Sequence, residues 1–94
     1  MQLLPIGTVV KLKNMKKWVM IYGRNQIQQK SQNTYDYIAV PYPEGNITED
    51  FNVFFNRTMI DEILHIGFET PQEQAMREKV EQEIQKAKAS VEKQ

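Results

Sequence analysis

The chain has 94 residues, no cysteine, and 12 basic side chains balanced by 12 acidic ones. That length suits one small domain, which buries only about 60–65% of its unfolded surface and so has a thin core. Disulfides and thiolate metal sites are excluded as reinforcement, and no apolar run approaches the roughly 20 residues that a membrane-spanning helix needs.

The opening Met1-Gln2-Leu3-Leu4-Pro5 has no basic n-region and no long apolar run, which argues against a cleaved signal peptide. A small chain without disulfides is expected in the cytoplasm, with no insertion into a membrane. Charge is zero overall but unevenly spread. Six basic residues and no acid precede Asp36, seven acids and one base (Arg57) lie between Tyr35 and Thr70, and the segment from Pro71 onward has five of each. Neighbouring strands can interleave such blocks on a solvated surface, or a bipolar surface can steer a charged partner.

In chain order, Gly7-Thr8-Val9-Val10-Lys11-Leu12-Lys13 alternates after a turn signal and predicts a half-buried strand. Asn14 to Lys17 is a polar, basic turn. Trp18-Val19-Met20-Ile21-Tyr22 predicts a second strand closed by Gly23. Arg24 to Asn33, rich in Gln and Asn, is a strand extension or a loop. Tyr35 to Val40 is a third strand, rich in aromatic and β-branched residues. Pro41-Tyr42-Pro43-Glu44-Gly45-Asn46 must end it, because proline cannot donate to a sheet ladder.

Phe51 to Phe55 predicts a short aromatic strand, Thr58 a capped helical turn, and Ile63 to Phe68 a last strand. Thr70-Pro71-Gln72-Glu73 combines a cap residue, proline at the first helical position and a glutamate three residues after the cap. The helix it opens carries the apolar stripe Met76, Val80, Ile84, Ala87 and Val91, and Glu73 and Arg77 form a favourable i,i+4 pair. These elements predict an α+β fold. A small antiparallel sheet of about five strands, which an SH3-like curl can turn into a barrel, fills residues 1–70. One long C-terminal amphipathic helix fills residues 71–94. It docks by its first turns and belongs to the same domain or projects from it, free to meet another chain.

Groups that converge for catalysis are scarce. The single histidine, His65, lies in an alternating apolar segment, and zinc there would need three carboxylates beside it. Glu49-Asp50 and Asp61-Glu62 read as turn or solvated pairs, because successive strand residues point to opposite faces. No glycine-rich phosphate loop and no nucleophile elbow is present. Catalytic, cofactor-binding and metal residues are therefore expected to be absent, and the chain is read as no enzyme. Nucleic acid is an alternative partner, since Trp18, Tyr22, Tyr35 and Tyr37 lie near the basic front and small barrels stack bases on such rings. Zero net charge and the acidic middle argue against it.

Interaction surfaces are the better candidates. Tyr37, Tyr42 and Pro43 lie close together in sequence, and aromatic rings beside prolines make contact surface at low entropic cost. The helix stripe Val80, Ile84, Ala87 and Val91 is the second candidate, for a protein partner or for a second copy of the chain.

The run Leu3-Leu4-Pro5-Ile6-Gly7-Thr8-Val9-Val10 resembles the DUF4176 family of short Gram-positive proteins. So do Met20-Ile21-Tyr22-Gly23-Arg24, Tyr35-Asp36-Tyr37-Ile38, Tyr42-Pro43-Glu44-Gly45-Asn46, Phe54-Phe55-Asn56, Ile60-Asp61-Glu62-Ile63 and Gly67-Phe68. The resemblance covers roughly residues 3 to 70. It implies an accessory or chaperone-like adaptor, encoded near type VII secretion genes, that binds a helical effector of the LXG class before export. The family has no established catalytic residues to transfer. Tyr37, Pro43 and Gly45 match its pattern.

Overall fold

The computed structural model describes residues 2–92, and side chains as far as residue 90. Five strands form one antiparallel sheet in the order β4-β3-β2-β1-β5: β1 (Val9–Leu12), β2 (Trp18–Ile27), β3 (Thr34–Pro41), β4 (Val53–Phe55) and β5 (Ile60–His65). The first four follow as a meander, and β5 returns to pair with β1. Since β4 and β5 are the two edges and do not meet, the sheet is open, and the SH3-like closure is corrected. The helix α1 (Pro71–Glu92) follows as expected.

One face of the sheet is the core. Val10 lies opposite Val19, Ile21 opposite Ala39, and Tyr37 opposite Phe55, so period-2 alternation brings their side chains to one side. Leu3 and Leu4 of the N-terminal segment and Ile84 of α1 close over them. We call this the inner face.

Three local departures from the sequence reading have clear causes. Gly23 does not end β2. The register slips between Ile21 and Gly23, and the strand runs on to Ile27 against Thr34. A continuous period-2 strand would put Arg24 on the same side as Met20 and Tyr22. The bulge shifts the phase and sets Arg24 opposite the inner-face Tyr37. Phe51 is not in a strand but in a 3-10 turn, Glu49–Phe51, that precedes β4. Thr58 lies inside the 3-10 turn Arg57–Met59, which begins after Asn56 and has no side-chain cap.

At the start of α1 the expectation holds. The Glu73 amide donates to Thr70 Oγ1 at 3.0 Å. The first turns dock through charged side chains, Glu73 and Arg77, while Met76 stays half exposed, and the apolar contacts with the core come later, at Val80 and Ile84.

Candidate partner-binding surface

The inner face explains how α1 is held. Glu73 accepts hydrogen bonds from Arg24 Nη1 at 2.8 Å and from Arg77 Nη2 at 2.8 Å. Arg77 also donates to Glu69 at 3.1 Å and to the Leu3 carbonyl at 3.3 Å, and Arg24 to the Leu4 carbonyl at 3.4 Å. A second clamp lies further along. Asp36 Oδ2 accepts from the Arg57 amide at 2.9 Å and from Arg57 Nε at 3.0 Å. The two terminal nitrogens of the same guanidinium grip Glu81 in a bidentate pair at 2.8 and 2.9 Å. The helix is therefore fastened by charge-assisted bonds around two apolar contacts, Val80 and Ile84.

Burial pushes the Asp36 carboxyl upward, but the side-chain and backbone donors of Arg57 outweigh it and hold the group below its ordinary range. Hydrogen bonds from Arg57 depress Glu81 in the same direction. Carboxyls with depressed folded-state pKa values stabilise the fold above the ordinary carboxylate range, and that stability is lost as pH falls through the folded values. We expect the denaturation midpoint to be level near neutrality and to fall below about pH 4. The difference between wild type and Glu81→Gln should shrink over the same interval. A constant difference down to strongly acid pH would remove Glu81 from this account.

The opposite, outer face is built differently. An antiparallel sheet with one solvated face normally turns polar residues toward water. Here the outward positions are Val9, Trp18, Met20, Tyr22, Ile38, Val40, Tyr42 and Phe54, with Lys11 and Glu62 toward the β5 side. Trp18, Tyr22 and Tyr42 are 46%, 43% and 40% exposed. The Trp18 and Tyr42 rings stack with centroids 6.4 Å apart. A hollow of about 470 Å³ lies among Val9, Trp18, Met20, Tyr42, Leu64 and His65. A second, of about 400 Å³, lies at the other end among Tyr22, Ile27, Ile38, Phe54, Glu49 and Asp50.

Gly23 borders this face. A β-carbon there would sit 2.7 Å from Ile38 Cγ2, so the absence of a side chain lets Ile38 lie over the bulge.

The structure separates the residues that sequence proximity grouped. Tyr37 is fully buried on the inner face, 5.2 Å from Phe55 ring to ring, and its hydroxyl accepts the Leu4 amide at 2.9 Å. Burial pushes its phenol pKa up. Tyr37 is thus a core residue that ties down the N-terminal segment, while Tyr42 and Pro43 are exposed beyond the end of β3. Tyr37→Phe should cost about 1–3 kcal/mol, because the Leu4 amide is left without its buried partner. A urea titration reads this directly, and an unchanged midpoint would show that the bond contributes nothing.

On the helix, Ile84 is buried and Val80 half buried against the chain's own sheet. Ala87 is exposed and lines a cleft of about 540 Å³ with Tyr35, Asp36, Arg57, Ile84 and Lys88. The Val91 side chain lies outside the described residues. The sequence reading weighed Trp18 and Tyr22 only for stacking on bases and did not foresee that they stand half exposed together on one sheet face. The available signal was the unbroken apolar run Trp18–Tyr22, in which both sides of a strand are apolar although only one sheet face has a cover.

Among the described residues no cluster of His, Asp or Glu is placed to hold a metal ion, and no helix is long and apolar enough to cross a membrane. The architecture defines a small α+β domain in which an open five-stranded antiparallel sheet is covered on one side by a single helix. The family model described as Domain of unknown function (DUF4176) matches residues 3–76, and the chain belongs to that family. No curated protein and no solved structure matches it.

Proposed function

We propose that this chain is a non-enzymatic, cytoplasmic adaptor or chaperone-like protein that binds a helical secreted effector of the LXG type in type VII secretion. The observation that carries the binding role is the outer sheet face, where Trp18, Tyr22 and Tyr42 stand half exposed over buried Val9, Ile38 and Val40 and no helix among the described residues covers them. Rigid aromatic side chains such as Trp18, Tyr22 and Tyr42 are the residue types that dominate contact energies at protein interfaces. Such a surface also suits an apolar helix face, which docks through residues spaced three and four apart. The resemblance supplies the effector class. The helix seam is the weaker site, because Val80 and Ile84 already serve the core.

The nucleic-acid alternative has less support. Lys11 pairs with Asp61, Lys17 with Glu44 and Arg24 with Glu73. This leaves Lys13, Lys16 and Lys30 as the front-half cations without a carboxylate partner among the described residues, a thin footprint for a phosphate backbone.

The test is a titration of the purified N-terminal helical segment of an LXG-type effector from the same genome. Trp18→Ala with Tyr42→Ala should weaken binding by more than tenfold, the scale of two hot-spot aromatics. Ala87→Glu should leave binding unchanged. The reverse pattern would move the site to the helix. Release of binding at about 0.5 M salt would point to a screened electrostatic contact instead of an apolar one.

A further inference from the structure

We infer that in the absence of another partner the outer face is covered by a second copy of this chain, packed face to face about a two-fold axis. The inference rests on reading the outer face as a contact surface. It adds what occupies that face in the free protein.

Area is the first argument. Trp18, Tyr22 and Tyr42 at 40–46% exposure, with Ile27 at 54% and Leu64 at 36%, are the exposed part of this face. Scaled from the 150–250 Å² that a large aromatic side chain presents, they leave roughly 400 Å² of apolar surface. A standard interface buries about 800 Å² per partner, of which roughly 450 Å² is apolar. The face therefore has about the apolar area that one copy must contribute to a stable dimer.

Charge is the second argument, and it selects the orientation. The Trp18–Tyr42 hollow lies beside the β1–β2 turn, where Lys13 and Lys16 have no carboxylate partner among the described residues, whereas Lys17 is taken by Glu44. At the other end, Glu49 and Asp50 line the Tyr22–Phe54 hollow without an ion pair among the described residues, and Lys30 is the only base among the described residues that line it. Glu62, in the same row as Lys11 and Trp18, offsets one of the turn lysines, so the first end is positive by about one charge and the other negative by about one. A two-fold axis in the plane of the interface and across the strands lays the Lys13–Lys16 end of each copy over the Glu49–Asp50 end of the other. Both contacts of this isologous arrangement are attractive. The same axis along the strands would set like ends together.

Sedimentation velocity of the full chain, from about 1 to 100 μM, brackets the micromolar range of weak interfaces of this size. It should show a concentration-dependent doubling of mass. Trp18→Ala with Tyr22→Ala should shift the midpoint upward at least tenfold. Lys13→Glu with Lys16→Glu should also weaken the dimer, and adding Glu49→Lys with Asp50→Lys to the same chain should restore it. Circular dichroism confirms that each variant is folded, and the turn lysines, being exposed, leave the core untouched. A monomer throughout the range overturns the inference. So does a dimer indifferent to these substitutions, which would place the contact elsewhere, on the helix or on the β5 edge. Effector binding that depends on Trp18 in a protein that stays monomeric would overturn self-association alone and leave the adaptor reading standing.

Discussion

Gly67→Ala should be among the most destabilising single-methyl additions available in this fold. A β-carbon at Gly67 would lie 2.1 Å from the Ile6 carbonyl oxygen, 2.9 Å from the Ile6 carbonyl carbon and 3.0 Å from the Gly7 carbonyl carbon. All three are backbone atoms, so no side chain can swing away, and the β5–α1 connection must move off the N-terminal segment. That movement strains the bond from the Gly67 amide to Thr8 Oγ1, now 3.0 Å and buried. It also disturbs the turn in which the Gly7 amide donates to Ile21 and the Ile21 amide to Thr8. Forced overpacking costs about 1–3 kcal/mol and a buried donor left unpaired about as much again.

The loss should therefore be on the order of 2–5 kcal/mol, or at least ~10 °C in Tm for a domain of this size. Gly45 is the control. Its φ is positive, at +82°, unlike that of Gly67, and a β-carbon there meets nothing within 4 Å. Gly45→Ala should carry only the left-handed backbone penalty of roughly 1–2 kcal/mol. A loss at Gly67 no larger than that at Gly45 would mean that the contact between residues 6 and 67 largely relaxes.

This contact shows what a sequence can and cannot reveal. Gly67 stands between Ile66 and Phe68, inside the segment Ile63–Phe68 that the sequence predicts as a strand, although β5 ends at His65. Its role depends on a segment sixty residues earlier. β1, the start of β2 and β3 were legible because each carries its own periodicity, with Val10 and Leu12 on one side of β1 and Val19 and Ile21 on one side of β2; β5 was not, since it runs Ile60–His65 and not Ile63–Phe68. The start of the helix was legible for the same reason, since Thr70, Pro71 and Glu73 form a local signature.

The second half of β2 was not legible as a strand. Arg24 and Gln26 are held there by backbone pairing with Tyr37 and Tyr35, and a polar side chain gives no sign of it. Tyr37 and Tyr42 could not be separated, because burial of an aromatic residue in an antiparallel sheet depends on which face receives the helix. The docking face of the helix was half visible. Val80 and Ile84 stand out as apolar, while Glu73, Arg77 and Glu81 lie on the same side at helical spacing and look like solvated charges.

Those charges make the second large prediction. Arg57→Ala should cost about 3–5 kcal/mol, the scale of removing one partner from a buried ion pair. The guanidinium side chain is 15% exposed and Asp36 only 9%, so the carboxylate left behind is desolvated and without its main partner. The bidentate grip on Glu81 disappears together with it. The backbone amide of residue 57 still reaches Asp36 in the variant and recovers part of the loss.

Arg57→Lys should not rescue fully. A single ammonium cannot bridge Asp36 and Glu81 with the planar fork that now serves both. The interaction is best isolated by a double-mutant cycle between Arg57→Ala and Glu81→Gln, read from urea midpoints. Coupling above about 1 kcal/mol, diminishing as the carboxylates protonate in acid, is the expected result. Additive losses would mean that the Arg57–Glu81 pair is a surface feature, leaving the helix to Val80, Ile84 and the Arg24–Glu73–Arg77 clamp. If the coupling is found, the helix serves to cover the inner face. A partner is then left with the face on the other side of the sheet, where Trp18 and Tyr42 stand.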